Sequence, residues 1–407
     1  MTALGVVSLV AAILSLPVWG YLGLLAIVAW RREPMDGAGP TLRFAVVIPA
    51  HNESQLIGDT VASVRRVDYP ASARRIVVIA DNCSDDTAAQ ARAAGAEVVE
   101  RQDAEQHGKG YALAFAFAHL LGGGGVDAIA VIDADSEVSP NLLKAFAARL
   151  RAGEVCVQAE YGVRNPRASW RTRLMAVALG MFHRTRSLAR ERLGVSVGLR
   201  GNGMCFASTC LRASPYDAFG VVEDVEYGIR LGLAGVRVAF AHEAWVRGEM
   251  VTSGDAALSQ RRRWEGGRWA LAAAYLPRLV VEAWKQRSAI LADLAMDLVV
   301  PPLTYIGLWV MAGTALECVH VVLTGEIGAG VALWASALTL LGAYVARGVQ
   351  YSGLGGEGLV ALLYAPVYVT WKVLIARPFK LESGGEWIRT RREPEKASDS
   401  EASSRIP

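Results

Sequence analysis

Acidic side chains recur in a fixed order through the middle of this chain. They are Asp81, the pair Asp133 and Asp135, and the adjacent carboxylates Glu223 and Asp224. Carboxylate oxygens bind hard divalent cations, and two adjacent carboxylates repel each other, which raises the pKa of one of them. A carboxylate with a raised pKa can accept a proton from a hydroxyl group. The pattern predicts an enzyme that handles a metal-bound nucleotide, with Asp224 as base and Glu223 as its supporting neighbour.

Cationic and aromatic residues form a second group. Lys109 lies between glycines in the sequence HGKG, and a compact ammonium beside flexible backbone suits a phosphate group. Further along, Gln260, Arg263 and Trp264 belong to the sequence QRRRW. Arginine binds diphosphates well, and the indole of tryptophan offers a flat face to a sugar ring. These residues indicate contacts to a diphosphate and to an acceptor sugar.

The same features have structural interpretations that the sequence leaves open. Acidic residues such as Glu53 and Glu223 are favoured near helix N-termini, where they interact with the helix dipole. Gly201, Asn202 and Gly203 could form a simple turn, or they could let an acceptor approach the backbone closely. The QRRRW segment could belong to an interfacial helix, with arginine at the lipid headgroups and tryptophan at the interface.

Alternating strand-like and helix-like segments must position these residues. Nearly continuous apolar runs at 43–49, 74–80 and 127–133 predict buried strands, and helical segments are expected at 54–66 and 85–94. This order indicates an open parallel sheet, in which ligands lie beyond the C-terminal ends of the strands. No GxGxxG follows the first strand and no GxxxxGKS/T occurs, which disfavours a Rossmann cofactor site and a P-loop.

Apolar segments at both ends predict membrane helices. Residues 3–30 contain no charge and are long enough to span a bilayer, and two arginines follow them immediately. Three further apolar stretches are 289–323, 327–346 and 353–376. A span is expected from about residue 303 in the first of these stretches. The stretch 353–376 could be re-entrant, interfacial or a full span.

The distribution of charge predicts topology and partners. No Lys or Arg precedes residues 3–30, which favours a retained anchor over a signal peptide, and the arginines after it place the following domain in the cytoplasm. Apolar residues make up 53% of the chain and the mean hydropathy is +0.28, which is high for a soluble protein. The net charge of +3 is too small to indicate nucleic-acid binding, and the basic residues near the membrane edges suit anionic lipid. The five cysteines form no CxxC pair and fit a reduced compartment.

The ordered motifs resemble those of membrane-bound family 2 glycosyltransferases of the processive type, which include the cellulose, hyaluronan and poly-N-acetylglucosamine synthases, and of their ceramide glucosyltransferase relatives. The motifs are VVIPAHNE, ADNCSDDT, HGKGYAL, DADS, VED and QRRRW, and the resemblance extends from residue 44 to about residue 275. It implies an α/β fold of the GT-A type, a Rossmann-like nucleotide-diphospho-sugar transferase domain between an N-terminal transmembrane helix and C-terminal transmembrane or interfacial helices. It also implies an inverting transfer from a nucleotide sugar, most often a UDP-sugar, with Mg²⁺ or Mn²⁺.

The resemblance implies a role for each motif residue. The uracil and ribose would be lined by Pro49, Asn52, Glu53 and Asp81. The diphosphate would meet Lys109, and the nucleotide sugar and metal would bind to Asp133 and Asp135. The acceptor hydroxyl would be deprotonated by Asp224. The diphosphate and the acceptor sugar would be held by Gln260, Arg263 and Trp264.

The predicted organisation has five parts. They are an anchor (1–32), a cytoplasmic GT-A domain (41–255), interfacial helices with QRRRW (256–288), transmembrane or re-entrant helices (289–376) and a basic, partly disordered tail (377–407). The expected function is extension of a surface polysaccharide from a UDP-sugar at the inner or plasma membrane. The alternatives are transfer of one sugar onto a lipid and an inactive membrane scaffold. Because the membrane part is small for a polymer channel, the sequence leaves open a small membrane partner subunit, a homo-oligomer or no translocation at all.

Overall fold

The computed structural model describes residues 2–35, 39, 41–252 and 254–375, with all side chains in these ranges except those of 254–265 and 373–375. The described part contains one sheet of eight strands. The strands are β1 Phe44–Ala50, β2 Arg74–Asp81, β3 Glu97–Arg101, β4 Ala128–Val131, β5 Ser136–Val138, β6 Cys156–Val163, β7 Met204–Ala207 and β8 Ala239–Gly248. Their order across the sheet is β3-β2-β1-β4-β7-β6-β8-β5.

The strands that end at predicted site residues are parallel, as the sequence indicated. β1 pairs in parallel with both β2 and β4, and β2 pairs in parallel with β3. The other half of the sheet is mixed, which corrects the prediction of a parallel sheet, because β7 runs antiparallel to both β4 and β6. β7 therefore starts beside the carboxyl end of β4. The start of β7 and the carboxyl ends of β1, β2 and β4 lie on one side of the sheet, which we call the polar edge.

Helices cover both faces of the sheet. The first nine are α1 Ala3–Val28, α2 Ile57–Arg65, α3 Thr87–Ala93, α4 Lys109–Gly123, α5 Leu142–Arg151, α6 Trp170–Leu179, α7 Arg186–Leu193, α8 Ser208–Ala213 and α9 Glu223–Leu233. In β1, Val47 packs in the cluster that contains Phe117, whereas Val46 packs in the cluster that contains Phe146. Burial on both faces explains why all seven residues of β1 are buried and why its sequence is an apolar run.

Six more helices of the described part follow the sheet. They are α10 Gly254–Gln286, α11 Ala289–Val299, α12 Leu303–Thr324, α13 Ala329–Tyr351, α14 Gly356–Leu362 and α15 Ala365–Ile375. Among the described residues, α1, α12 and α13 are the three helices long and apolar enough to cross a membrane. The stretch 353–376, which the sequence left open, contains α14 and α15. At a rise of about 1.5 Å per residue, the described lengths of both helices are shorter than a hydrocarbon core of about 30 Å. The predicted tail at 377–407 lies outside the described residues.

The sheet domain packs closely against the apolar helices α1 and α13. A π-helical turn, Gly180–Thr185, joins α6 to α7. A Cβ on Gly180 would lie 2.4 Å from the carbonyl oxygen of Gly348 in α13, so only glycine permits this approach. Tyr351, at the end of α13, donates a hydrogen bond to the carbonyl oxygen of Ala29 at 2.8 Å. The ends of α1 and α13 that lie nearest the sheet are therefore side by side.

Candidate active site

Lys109 lies at the centre of the polar edge of the sheet. It is the first residue of α4, and its Nζ donates to Oδ1 of Asp133 at 2.5 Å. The same ammonium donates to the carbonyl oxygen of Gly201 at 2.7 Å and lies 4.0 Å from Oε1 of Glu223. Burial lowers the pKa of Lys109, but the charges of Asp133 and Glu223 outweigh burial and raise the pKa above its usual value. Lys109 is therefore a fixed positive charge among carboxylates.

The glycines that flank Lys109 have separate structural causes. Gly108 has φ of 127°, a conformation that other residues rarely adopt. A Cβ on Gly110 would lie 2.4 Å from the carbonyl oxygen of Ala218. The start of α4 thus packs directly against the segment that leads into α9. This contact brings Lys109 to the carboxylates at the start of α9.

Glu223 and Asp224 begin α9 and lie beside the Gly201 turn. A Cβ on Gly201 would be 3.4 Å from Oδ2 of Asp224 and 3.6 Å from Nζ of Lys109. Burial raises the pKa of Glu223 to about 8, against the opposing charge of Lys109. Burial also raises the pKa of Asp224, again opposed by Lys109. The pair therefore holds a proton more readily than ordinary carboxylates, which is what a general base requires.

Asn202 supports the loop that carries the two aspartates. Its Oδ1 accepts a hydrogen bond from the backbone N–H of Asp133 at 3.1 Å, and its Nδ2 donates to Oγ of Ser136 at 2.8 Å. Ser136 donates in turn to Oδ1 of Asp135 at 3.2 Å. Because Asn202 is 0% exposed, it cannot touch an acceptor, in contrast to the prediction from sequence. It positions Asp133 and Asp135.

Asp81, at the end of β2, is only 1% exposed. Its Oδ1 accepts a hydrogen bond from Nη1 of Arg101 at 2.6 Å, and its Oδ2 accepts one from Nδ2 of Asn82 at 3.3 Å. Asp81 therefore shapes the crevice through Arg101 and does not present a free carboxylate to a nucleotide. Arg101 was not predicted from the sequence. The signal for it was the segment EVVER, whose valines follow a helical segment and indicate the strand β3 that ends at Arg101.

The loops after β1 and β2 are joined to each other. Asn52 has φ of 56°, and its Oδ1 accepts a hydrogen bond from the backbone N–H of Ser84 at 2.8 Å. The backbone N–H of Glu53 donates to Oγ1 of Thr87 at 2.8 Å. Pro49 lies within β1, two residues before the first of these loops. Asn52 and Glu53 therefore lie where the two loops meet, whereas Pro49 is buried within β1, and their contacts to a nucleoside stay predictions.

The long helix α10 passes beside the start of α9. A Cβ on Gly267 would lie 2.8 Å from Cγ2 of Val222, the residue before α9. Gln260, Arg263 and Trp264 belong to the N-terminal half of α10, but their side chains lie outside the described part of the chain. Their contacts to a diphosphate and an acceptor stay predictions.

Asp133 and Asp135 are the residues that fit a divalent cation. Both are part-exposed at the strand edge and supply hard oxygen ligands. No group of three or more His, Cys, Asp or Glu side chains among the described residues is arranged to hold a metal alone. Mg²⁺ is usually held by one or two carboxylates together with substrate phosphates. A pair of aspartates beside Lys109 therefore fits a cation that binds together with a diphosphate.

Comparison with known sequences gives two matches. The model of a family described as "Glycosyltransferase like family 2" matches residues 40–267, which is more than half of the 407 residues. The beta-monoglucosyldiacylglycerol synthase of Synechocystis sp. is 25% identical to this chain over 307 residues. That match covers 70% of this chain and 63% of the relative, so the chain spans less than two thirds of the relative's length.

Among solved structures, a mannosyltransferase from Pyrobaculum calidifontis has a similar fold. That protein, named PcManGT, was solved in complex with GDP-Man and Mn²⁺. The two chains are 18% identical, and the TM-score is 0.54. The superposition covers 91% of this chain and 97% of the other. The similarity confirms the GT-A type of fold, flanked by apolar helices on both sides.

Proposed function

Since the chain belongs to glycosyltransferase family 2, we propose that it transfers one sugar from a UDP-sugar to a lipid acceptor and so makes a glycolipid. The observation that carries the transfer reaction is the position of Lys109 between Asp133 on one side and Glu223 on the other. The name of the Synechocystis relative, a synthase of monoglucosyldiacylglycerol, supports a lipid acceptor. Polysaccharide extension, the function first expected from the sequence, lacks such support.

The residues proposed for the reaction lie on two sides of Lys109, one for the sugar donor and the other for the acceptor. On the donor side, Asp133 and Asp135 would hold Mg²⁺ or Mn²⁺, which would neutralise charge on the departing diphosphate. Lys109 would exchange its contact with Asp133 for the diphosphate, and Asn202 would keep both aspartates in place. The manganese complex of the Pyrobaculum mannosyltransferase is consistent with a divalent metal. Asn52 and Glu53 would face the nucleoside, and Pro49, buried in β1, would support them from behind.

On the acceptor side, Asp224 would take the proton of the attacking hydroxyl. Glu223 would support it as the adjacent carboxylate, because burial raises the pKa of both groups and the pair therefore accepts a proton more readily than ordinary carboxylates. Attack from the face opposite the diphosphate would invert the anomeric centre in one displacement. Gln260, Arg263 and Trp264 would hold the diphosphate and the acceptor from α10.

The test is transfer by the purified full-length protein. A panel of UDP-sugars and GDP-mannose would be offered with diacylglycerol, with an anionic lipid and with a short oligosaccharide, and nucleotide release and product mass would be measured. The proposal predicts one added sugar on a lipid, with no longer products. A ladder of masses on the oligosaccharide would show polysaccharide extension instead. Release without transfer for every acceptor would contradict both functions.

We propose that the sheet domain lies in the cytoplasm at the inner or plasma membrane. Three spans with the domain inside place Thr2 and Gly325 outside, since α1 and α12 cross in opposite directions. Cysteines introduced at these two positions should react with an impermeant maleimide in intact cells after Cys318 has been replaced. A cysteine at Glu105, in the sheet domain, should react only after lysis. Labelling of Glu105→Cys in intact cells would show the opposite orientation.

A further inference from the structure

Four arginines gather where the sheet domain meets the membrane helices. We call them the arginine cluster: Arg186, Arg190, Arg200 and Arg268. They come from α7, from the segment before β7 and from α10. The ring of Phe182 lies among three of them, with the guanidinium carbons of Arg186, Arg200 and Arg268 at 4.5, 4.9 and 5.7 Å from its centroid. None of the four belongs to a motif used in the proposed reaction.

Two carboxylates of α11 neutralise part of this charge. Asp297 Oδ1 lies 2.8 Å from Nη1 of Arg186 and 2.9 Å from Nη2 of Arg190. Asp293 Oδ2 lies 3.0 Å from Nε of Arg190. Arg268 is also near Asp297, with Nη2 at 3.5 Å from Oδ2. Four cations therefore share two carboxylates, which leaves an excess of positive charge in a mostly buried place.

Arg200 carries most of this unbalanced charge. It is 8% exposed, and no carboxylate of the described part of the chain lies within ion-pair distance of it. Its Nη2 donates to the carbonyl oxygen of Val197 at 2.9 Å, but its Nε is buried without an acceptor among the described residues. Burial, with the charges of the other arginines, lowers the pKa of Arg200 to about 10 against the opposing effect of Asp297. An uncompensated buried guanidinium is costly, and a bound anion would compensate it.

The depth of the cluster indicates what kind of anion could reach it. Arg190 donates to the hydroxyl of Tyr21 at 2.8 Å, and Arg186 donates to the hydroxyl of Tyr344 at 2.9 Å. Each tyrosine lies seven residues before the sheet-side end of its apolar helix, Tyr21 in α1 and Tyr344 in α13. Seven residues correspond to about 10 Å of helix. For helices of 26 and 23 residues centred on a hydrocarbon core of about 30 Å, that depth is about 6–8 Å inside the core, a distance that long arginine side chains span toward the lipid phosphates.

We propose that Arg200 and Arg268, on either side of Phe182, form a binding site for the phosphate of an anionic membrane lipid. Guanidinium groups bind phosphate oxygens in pairs through charge-assisted hydrogen bonds, and Nε of Arg200 supplies a donor that is otherwise unused. Phe182 and Arg268 are part-exposed, so the cluster is accessible from their side. The proposal goes beyond glycolipid synthesis, because a lipid can bind here whether or not it is the acceptor.

The site is adjacent to the reaction centre. Arg200 directly precedes Gly201, whose backbone lies beside Asp224 and Lys109. A lipid phosphate held by Arg200 would therefore place the headgroup of that lipid near the proposed base. Two kinds of lipid could supply this phosphate. One is an acceptor lipid that carries a phosphate, and the other is a neighbouring phospholipid that binds between the sheet domain and the apolar helices.

Binding is tested by thermal unfolding of the full-length protein in neutral detergent. Phosphatidic acid, phosphatidylglycerol, diacylglycerol and inorganic phosphate would each be titrated, and Kd would be measured by native mass spectrometry. We expect the two anionic lipids to raise Tm by about 3 °C at a hundredfold excess over Kd, because binding then contributes about 2.7 kcal/mol. Diacylglycerol has no phosphate, so any shift that it causes as an acceptor should be the same in Arg200→Gln, whereas the shift from the anionic lipids should be lost in this variant. Anionic-lipid shifts that persist in Arg200→Gln, or a shift from inorganic phosphate alone, would overturn the proposal.

Variants assign the binding to the cluster. Arg200→Gln and Arg268→Gln should each weaken anionic-lipid binding at least tenfold, and Arg200→Lys should retain part of it because it keeps the charge. Arg347→Gln is the matched control, since Arg347 also lies at the sheet-side end of a membrane helix, where it donates to the carbonyl oxygen of Ala26 at 3.1 Å. Unchanged binding in both glutamine variants, or equal loss in Arg347→Gln, would contradict the site.

The lipid-free Tm of each variant separates misfolding from loss of the site. If Arg200→Gln unfolds well below the wild type, Arg200→Lys and Arg268→Gln decide the question. Product mass then identifies the source. Sugar on the bound anionic lipid identifies it as the acceptor, and binding without sugar on that lipid identifies a neighbouring phospholipid; both results keep the phosphate site.

Discussion

Lys109 and Asp133 form a short ion pair, with 2.5 Å between Nζ and Oδ1, at the edge where β4 ends. The pair is mostly buried, with side-chain exposures of 18% and 29%. Through Glu223, 4.0 Å from the same ammonium, it connects the proposed donor side to the proposed base. One lysine thus balances carboxylates from two separate parts of the chain.

The first prediction concerns the stability that this pair provides. Lys109→Gln should lower the free energy of unfolding by about 3–5 kcal/mol, because it leaves buried carboxylates without their counter-charge. The control is Lys144→Gln, since Lys144 also lies 2.5 Å from a carboxylate, that of Asp68, but with side-chain exposures of 50% and 71%. An exposed pair should contribute at most about 1 kcal/mol. If denaturant titrations show the same loss of unfolding free energy in both variants, the Lys109–Asp133 pair contributes no more to stability than an exposed ion pair.

The second prediction concerns the base. Asp224→Asn should bind UDP as the wild type does but turn over about 10²–10⁴-fold more slowly, because the amide cannot accept the proton. UDP binding would be followed by calorimetry and turnover by UDP release. Glu226→Gln is the control on the same helix, where Glu226 contacts Arg230 at 2.8 Å rather than Lys109. Turnover of Asp224→Asn close to that of Glu226→Gln would remove Asp224 from the mechanism.

The third prediction concerns pH. Burial raises the pKa of Glu223 to about 8 in the folded protein, whereas an unfolded glutamate titrates near pH 4.3. Between these values the folded state binds more protons, so stability should be greatest at the acid end and fall as pH rises toward 8. One proton gives a slope of at most about 1.4 kcal/mol per pH unit. Glu223→Gln should flatten this decline in unfolding measurements from pH 5 to 8.5. Parallel curves for wild type and variant would contradict the raised pKa.

The fourth prediction concerns the metal. EDTA should abolish transfer, and Mg²⁺ or Mn²⁺ should restore it, because Asp133 and Asp135 supply only part of a coordination shell that the diphosphate completes. Asp135→Asn should weaken UDP binding only when metal is present. Calorimetry of UDP binding with and without metal measures this difference. Full transfer in chelator, or equal loss of UDP affinity with and without metal, would contradict a metal at these residues.

The fifth prediction separates catalysis from membrane anchoring in α10. Trp264→Ala should stay membrane-bound and bind UDP but lose almost all transfer, since a stacking indole must meet the sugar at a fixed geometry. Trp269, 45% exposed, should tolerate alanine far better. UDP release with acceptor present, normalised to protein in the membrane, compares the two. If transfer in both variants falls only as much as the amount of protein in the membrane, both tryptophans have an interfacial role.

Local patterns in the sequence determined much of this protein. The apolar runs near 43–49, 74–80 and 127–133 became β1, β2 and β4, because strands buried on both faces have continuous apolar sequences. Acidic residues at the ends of those runs indicated one crevice, since the carboxyl ends of parallel strands share an edge. Long apolar segments indicated membrane helices, because length and composition are properties of the local sequence. The helices α1, α12 and α13 have the required length and composition.

Only the tertiary structure decided which residues meet. The antiparallel β7 places Asn202 beneath the Asp133 loop, and the edge strand β3 places Arg101 against Asp81. The arginine cluster draws residues from α7, from the approach to β7 and from α10, which no spacing in the sequence connects. Periodicity reports which face of an element is buried, whereas these contacts depend on how distant elements pack. The pairing of Lys109 with Asp133, 24 residues later, and the charge left unbalanced at Arg200 are consequences of that packing.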